Sequence, residues 1–150
     1  MPAEWAARYV GIPFKSGGRG MDGVDCYGLL RLVYKEQFAT ELPSLDDAYK
    51  NALDTRETAP LAKKYIPLLR GDKTESPKPG DAVLMIEHGL PTHIGIYAGG
   101  GYILHATRRL GVVLQRTTHP DLRGRVEGYY AVKASDADSS VFGKIRRPRG

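Results

Sequence analysis

Residues 23–38, GVDCYGLLRLVYKEQF, form the stretch of sequence that decides the fold. Its apolar side chains recur at the spacing of one helical face, at Leu29, Leu30, Val33, Tyr34 and Phe38. Asp25 precedes them and is a favoured N-cap residue. The stretch therefore predicts a helix over Cys26–Phe38, which begins directly after a loop rich in glycine.

Further helices are predicted on either side of this one. Residues 4–10 have helical character, and Gly11 and Pro13 end it. Ser44, with Asp47 three residues later, resembles a capping box for a helix that extends to about residue 53. Residues 60–70 predict another short helix, which Pro67 would distort.

The second half of the chain predicts strands. Glycine and proline clusters separate five short β-like runs, as in an antiparallel meander. The runs are Ala82–Glu87, His93–Ala98, Tyr102–Thr107, Val112–Thr117 and Val126–Lys133. Helices followed by strands predict an α+β domain, with the helices packed on one face of a sheet. We expect this domain to span residues 1–133, and residues 134–150 to form a polar and then basic tail.

Composition excludes several classes of protein. The chain has 150 residues, of which 41% are hydrophobic and 26% charged, so it is neither collagen-like nor disordered. The net charge of +5 suits an anionic partner such as nucleic acid, a membrane surface or a wall polymer. No apolar run is long enough to span a membrane, and the start, MPAEWAARYV, lacks the pattern of a secretory signal. We therefore expect synthesis in the cytoplasm.

The single cysteine, Cys26, can be a core thiol, an intermolecular bridge or a nucleophile. It falls in the predicted first turn of the helix, where unpaired N–H groups and the helix dipole favour a thiolate. It also lies at the leading edge of the apolar stripe, as a structural cysteine would. Both interpretations remain open on this evidence alone.

Two histidines can supply the base that a cysteine nucleophile needs. His93 and His105 lie on neighbouring predicted strands, with Gly99, Gly100 and Gly101 between them. A loop centred on Gly99 would place the two histidines directly opposite each other on one face of the sheet. A two-residue loop would shift the register by one and separate their faces.

Zinc is an alternative interpretation, with His88, His93 and His105 as three nitrogen ligands. No carboxylate or second cysteine stands at a recognisable ligand spacing, and His88 is expected in a loop. We therefore predict neither a metal nor another cofactor. A strand histidine can also be no more than a satisfied polar residue.

Four segments together resemble the NlpC-type family of papain-like cysteine peptidases, which cleave the peptide stems of bacterial cell walls. They are GVDCYGL at 23–29, PGD at 79–81, HIGIY at 93–97 and LHA at 104–106. Their order and spacing match the family, and the resemblance extends over residues 3–132. It implies Cys26 as nucleophile, His93 as base and His105 as the residue that orients the base. It also implies hydrolysis near the γ-D-glutamyl–diamino-acid link of peptidoglycan, without a metal.

A narrower similarity points to phages. The run Gly11-Ile12-Pro13-Phe14 and the segment 125–130, RVEGYY, are most similar to the branch of the family found in phage tails. This similarity implies a tail-tip or baseplate component that opens the host wall, with other tail proteins as partners. A structural tail protein with little hydrolysis, and an acyl transferase that uses the same thioester, are the competing functions.

Two positions depart from the family pattern. Tyr27 stands where relatives often have serine, and Phe14 stands where many have a tyrosine thought to help bind the oxyanion. The other charged residues are less informative. Arg108 and Arg109 suit either stem-peptide carboxylates or a solvated loop, and the basic tail suits either an anionic partner or solubility. No phosphate-binding loop or aromatic-basic face favours nucleic acid.

Overall fold

The computed structural model describes residues 1–42 and 73–132. A six-residue 3-10 helix, Glu4–Tyr9, opens the chain. A small hairpin, β1 (Arg19–Gly20) and β2 (Gly23–Val24), leads into the α-helix α1, Cys26–Gln37. The strands that follow are β3 (Lys73–Thr74), β4 (Ala82–Glu87), β5 (Leu90–Gly99), β6 (Tyr102–Thr107), β7 (Gly111–Arg116) and β8 (Val126–Tyr130).

The helix predicted around Cys26 is confirmed at both ends. Asp25 is its N-cap, and one carboxylate oxygen accepts the Gly28 N–H at 2.7 Å. Phe38, expected as the last helical residue, is the C-cap. Leu29, Leu30 and Val33 are fully buried, as their spacing predicts.

Strands β3 to β8 form one antiparallel sheet in the order β3-β8-β4-β5-β6-β7. All five predicted strands are present, with shifts at their ends: β5 begins earlier than expected, and β8 ends at Tyr130. The sixth strand, β3, has two residues and pairs with β8. The α+β architecture predicted from the order of the elements is confirmed.

The sheet separates two apolar clusters. On one face, α1 packs against alternate residues of the central strands, among them Ile94, Ile96 and Leu104. On the other face, Val83, Met85, Ile103 and Leu122 form a smaller cluster. This alternation follows from the two-residue period of a strand.

Three of the predictions lie outside the described residues. They are the helices expected over residues 44–53 and 60–70, and the tail at 134–150. The domain boundary at residue 133 stays a prediction for the same reason. No helix in the described part of the chain is long and apolar enough to cross a membrane.

Candidate active site

Cys26 lies in the first turn of α1 and is buried, with 5% of its surface exposed. It belongs to the same apolar cluster as Ile94 and Ile96 of β5. The helix that carries it packs against β5 and β6, the strands that carry His93 and His105. The sulfur therefore lies at the positive end of a helix dipole, beside the strands of the two imidazoles.

The glycine-rich loop is held against the start of this helix by Asp25. The carboxylate of Asp25 is fully buried and accepts the Gly17 N–H at 2.6 Å and an Arg19 Nη1–H at 3.0 Å. Burial raises the pKa of Asp25, and the Arg19 charge opposes that rise. The loop comes so close to the helix that a Cβ at position 28 would overlap the Gly18 carbonyl oxygen. Only glycine fits there, two residues after Cys26.

The two predicted histidines are in direct contact. Nε2 of His93 lies 2.9 Å from Nδ1 of His105, and their rings meet edge to face, with centroids 5.1 Å apart. Both side chains are buried. Because Nε2 of His93 is bonded to His105, Nδ1 is the ring nitrogen that remains for another partner.

The register of β5 against β6 differs from the one predicted for the histidine pair. The turn has two residues, Gly100 and Gly101, both with positive φ, and a two-residue turn was expected to separate the faces. A β-bulge brings the two histidines back to one face of the sheet. Tyr97 pairs with Ile103 and Gly99 with Tyr102, so Ala98 is an extra residue on β5. The expectation that His93 lies directly opposite His105 is wrong. The two are diagonal neighbours on a common face.

Both imidazoles are neutral at pH 7. Burial, with the charges of Arg125 and Arg108, lowers the pKa of His93 from 6.5 to about 4. Burial and the neighbouring His93 also lower the pKa of His105 to about 4, although Gln115 opposes the change. A neutral imidazole can accept a proton, as a general base must.

Polar residues that the sequence reasoning missed surround the pair. The Gln115 Oε1 lies 2.7 Å from Nε2 of His105, and the Gln115 amide donates to Asp121 at 3.3 Å. The Glu87 carboxylate lies 4.0 Å from Nδ1 of His93 and 3.5 Å from the Arg125 guanidinium. These side chains line one open pocket with both histidines. Gln115 had a detectable signal, since it is the polar residue that directly follows the apolar run Val112-Val113-Leu114 in the predicted strand 112–117.

The structure does not bring His88 into the site. His88 is exposed in the β4–β5 turn with φ of 55°, and it does not line the pocket. Within residues 1–42 and 73–132, no three His, Cys, Asp or Glu side chains are grouped to hold a metal ion. Arg108 and Arg109 are exposed, while Phe14 is half-buried against the main core.

A cysteine at a helix start and a buried imidazole pair on the adjoining sheet define a papain-like α+β domain. The chain belongs to the NlpC/P60 family, whose model matches residues 11–129. It is 27% identical over 118 residues to the murein DD-endopeptidase MepS/murein LD-carboxypeptidase of Escherichia coli K12, covering 79% of this chain and 52% of that protein. It is 26% identical over 127 residues to the γ-DL-glutamyl hydrolase of Bacillus subtilis 168, covering 82% of this chain and 27% of that protein.

The fold also matches solved structures of the family. An NlpC/P60 family protein from Bacillus cereus ATCC 10987 superposes with a TM-score of 0.58 at 19% identity, over 83% of this chain and 36% of that one. At this level of identity the match supports the fold alone. The chain spans about half the length of MepS.

Proposed function

We propose that this protein is a cysteine endopeptidase that hydrolyses peptide stems of bacterial peptidoglycan through a thioester. The observation that carries the proposal is the buried, neutral His93–His105 pair on strands packed against the helix of Cys26. The names of the relatives support the substrate, since one is called a murein endopeptidase and another a γ-DL-glutamyl hydrolase.

The first half-reaction forms an acyl-enzyme. Nδ1 of His93 takes the thiol proton, and the Cys26 sulfur attacks the scissile amide carbon. The carbonyl oxygen becomes an oxyanion in the tetrahedral intermediate. The C–N bond then breaks, and the departing amine receives the proton from His93. The products are a thioester on Cys26 and a free amine.

The second half-reaction restores the enzyme. His93 takes a proton from water as the oxygen attacks the thioester carbon. The C–S bond breaks, the proton returns to Cys26, and a carboxylic acid leaves. The backbone N–H of Cys26, at the start of α1, supplies a donor for the oxyanion in each half-reaction. The scissile bond we propose is the γ-D-glutamyl–diamino-acid link of the stem.

We further propose that the protein works in a phage tail or a related particle, after synthesis in the cytoplasm. The similarity of residues 11–14 and 125–130 to the phage-tail branch supports this setting. The segment 125–130 includes β8, which pairs with β4 in the middle of the sheet. Immunogold labelling of particle tails with an antibody to this chain tests the setting, and label absent from tails would contradict it.

A second candidate function is favoured by one observation. Phe14 stands where many relatives have an oxyanion-binding tyrosine, and its ring has no donor. A structural tail protein that keeps the fold with little hydrolysis would tolerate that loss. The intact set of Cys26, His93 and His105 favours the enzyme.

One experiment separates these functions. Purified peptidoglycan is incubated with the wild type, and the released fragments are identified by mass spectrometry. We expect new amino and carboxyl ends at the γ-D-glutamyl link. Cys26→Ala is expected to release none while keeping the wild-type circular dichroism spectrum. Undiminished digestion by Cys26→Ala would end the cysteine-peptidase proposal, and no digestion by the wild type would favour the structural role.

A further inference from the structure

A continuous line of hydrogen bonds leads from the surface to the candidate base. The Asp121 carboxylate accepts from the Gln115 amide at 3.3 Å, and Gln115 Oε1 lies 2.7 Å from Nε2 of His105. Nδ1 of His105 then lies 2.9 Å from Nε2 of His93. The line therefore crosses three side-chain contacts between a carboxylate and the imidazole next to the chemistry.

The chemistry of these groups sets the direction of every bond. A carboxylate only accepts, so the NH₂ of Gln115 must face Asp121, and its carbonyl oxygen must face His105. A carbonyl oxygen also only accepts, so the proton of neutral His105 is on Nε2. Nδ1 of His105 is then an acceptor, which places the proton of His93 on Nε2. Nδ1 of His93 is left with a lone pair.

The exposed end of the line is held in place by its own turn. The Asp121 N–H donates to Nδ1 of His119 at 3.0 Å, and Arg125 Nη1 donates to the Asp121 carbonyl at 2.9 Å. Leu122, the next residue, is buried in the smaller apolar cluster. The turn therefore holds the backbone of Asp121, and more than half of the surface of its side chain is exposed.

We propose that Gln115 and Asp121 are positioning residues that hold His93 and His105 in the Nε2–H tautomer. For catalysis this inference rests on the proposed function. When Nδ1 of His93 takes a proton, the imidazolium must still donate through Nε2, and only an unprotonated Nδ1 on His105 can accept. The opposite tautomer of His105 would set two N–H groups against each other and disfavour the imidazolium.

The first test reads the tautomers directly. In the wild type at pH 7, long-range ¹H–¹⁵N spectra of the protein labelled with ¹⁵N-histidine are expected to show Nε2–H for both residues. Gln115→Met keeps the length of the side chain but removes its acceptor, so a second tautomer of His105 should become detectable. Gln115→Glu keeps an acceptor and should preserve the wild-type tautomer. In Asp121→Asn the new amide can either donate to or accept from Gln115, so Gln115 can take either orientation. We therefore expect a mixture of the two tautomers of His105.

Matched substitutions elsewhere provide the controls. Gln37→Met makes the same exchange near Tyr9, and Asp22→Asn neutralises an exposed carboxylate paired with Lys15. Neither should change the histidine signals. If Gln115→Met does not fold, the surface substitution Asp121→Asn still tests the line. An Nδ1–H tautomer of His105 in the wild type, or unchanged tautomers in both Gln115→Met and Asp121→Asn, would overturn the inference.

The kinetic test measures a change in kcat without a change in KM, which a purely structural role of Gln115 would not produce. Loss of one neutral hydrogen bond should lower kcat of Gln115→Met by about tenfold with little change in KM, and Gln115→Glu should recover most of it. If the tautomers change in the variants but the wild type digests no peptidoglycan, the role of Gln115 and Asp121 in setting the tautomers is supported and the proposed function is rejected. Altered tautomers with an unchanged kcat would reject the catalytic part of the inference.

Discussion

Gly95 lies directly against His105. A Cβ built on Gly95 would stand 3.0 Å from the Cβ of His105, 3.0 Å from the Leu104 carbonyl oxygen and 2.8 Å from the terminal methyl of Met85. In the β5–β6 register, Ile96 pairs with Leu104, so position 95 is the one that faces His105. The absence of a side chain at Gly95 leaves the space in which His105 reaches diagonally to His93.

Gly95→Ala is therefore expected to displace His105. The Met85 methyl can move, but the Leu104 backbone cannot, so overpacking should cost about 1–3 kcal/mol of stability. Hydrolysis should fall further than this loss explains, because the imidazole contact is disturbed. Urea melts and rates on peptidoglycan measure both effects.

The control is Gly20→Ala, whose Cβ would meet only the end of the Asp22 side chain, at 3.2 Å. We expect near wild-type stability and activity there. A Gly95→Ala variant that is as stable and active as Gly20→Ala would show that this close approach is unimportant.

Much of this architecture could be predicted from the sequence, because the local signals were strong. Asp25 and the apolar spacing that follows it located the helix, and the glycine and proline clusters located five strands. The helix and the strands depend on neighbours within a few residues, which periodicity and turn chemistry describe well. The contact between His93 and His105 was expected only for a loop centred on Gly99, whereas the structure reaches it through a two-residue turn and a bulge.

The remaining features depend on register and on long-range pairing. The extra residue at Ala98 follows no local sequence pattern. Its carbonyl oxygen accepts the N–H of Ala3, a residue far away in the sequence, at 2.7 Å. Strand β3 has two residues and no periodicity of its own. Gln115 belongs to the candidate site only because β7 pairs with β6, and Asp121 only because of the turn that follows. Such features require the folded structure.

The two histidines should differ in importance. His93→Ala removes the proposed base and should lower kcat by about 10²–10⁴-fold, the usual scale of general-base help. His105→Asn keeps an amide near His93 and should be milder, because that residue only orients the base. Rates on peptidoglycan measure the order. His88→Ala, in the exposed turn, serves as the control and should match the wild type. Equal losses at His88 and His93 together with inhibition by chelators would point to zinc.

Stability should fall as the solution is acidified below pH 6.5. Both imidazoles have a pKa near 4 in the folded state and an ordinary value of 6.5. Between these values the unfolded chain binds protons that the folded chain does not, so acid favours unfolding. For a single imidazole this difference in pKa corresponds to roughly 3 kcal/mol in the free energy of unfolding. The full contribution is present above pH 6.5 and is lost as the pH falls to 4.

Urea melts at intervals from pH 7.5 to 4.5 measure this dependence. Other groups titrate in acid, so the comparison is between slopes. His105→Gln removes one of the buried imidazoles and should flatten the decline, whatever its stability at pH 7. His88→Gln, which removes an exposed imidazole, should decline as steeply as the wild type. Equal slopes in all three proteins would mean that the buried pair is protonated without cost.

The last prediction concerns Phe14. Its backbone is fixed beside the start of α1, because Phe14 bridges to Val24 and the flanking hydrogen bonds, Lys15 N–H to Val24 O and Val24 N–H to Pro13 O, are 2.9 and 3.0 Å. Its ring packs on the apolar cluster that contains Cys26. A donor aimed at the oxyanion is worth about 10²–10³ in rate, and the phenylalanine ring provides none. We therefore expect slow hydrolysis by the wild type and a higher kcat, with little change in KM, for Phe14→Tyr.

Phe38→Tyr is the matched control, since Phe38 packs on the same cluster at the far end of the helix, and it should leave kcat unchanged. If the new hydroxyl at position 14 is instead buried without a partner, the variant should lose about 1–3 kcal/mol of stability and gain no rate. Steady-state kinetics on a stem peptide, beside thermal melts of all three proteins, distinguish the two results. A stable Phe14→Tyr variant with the wild-type kcat would show that a missing donor at this position does not limit the protein.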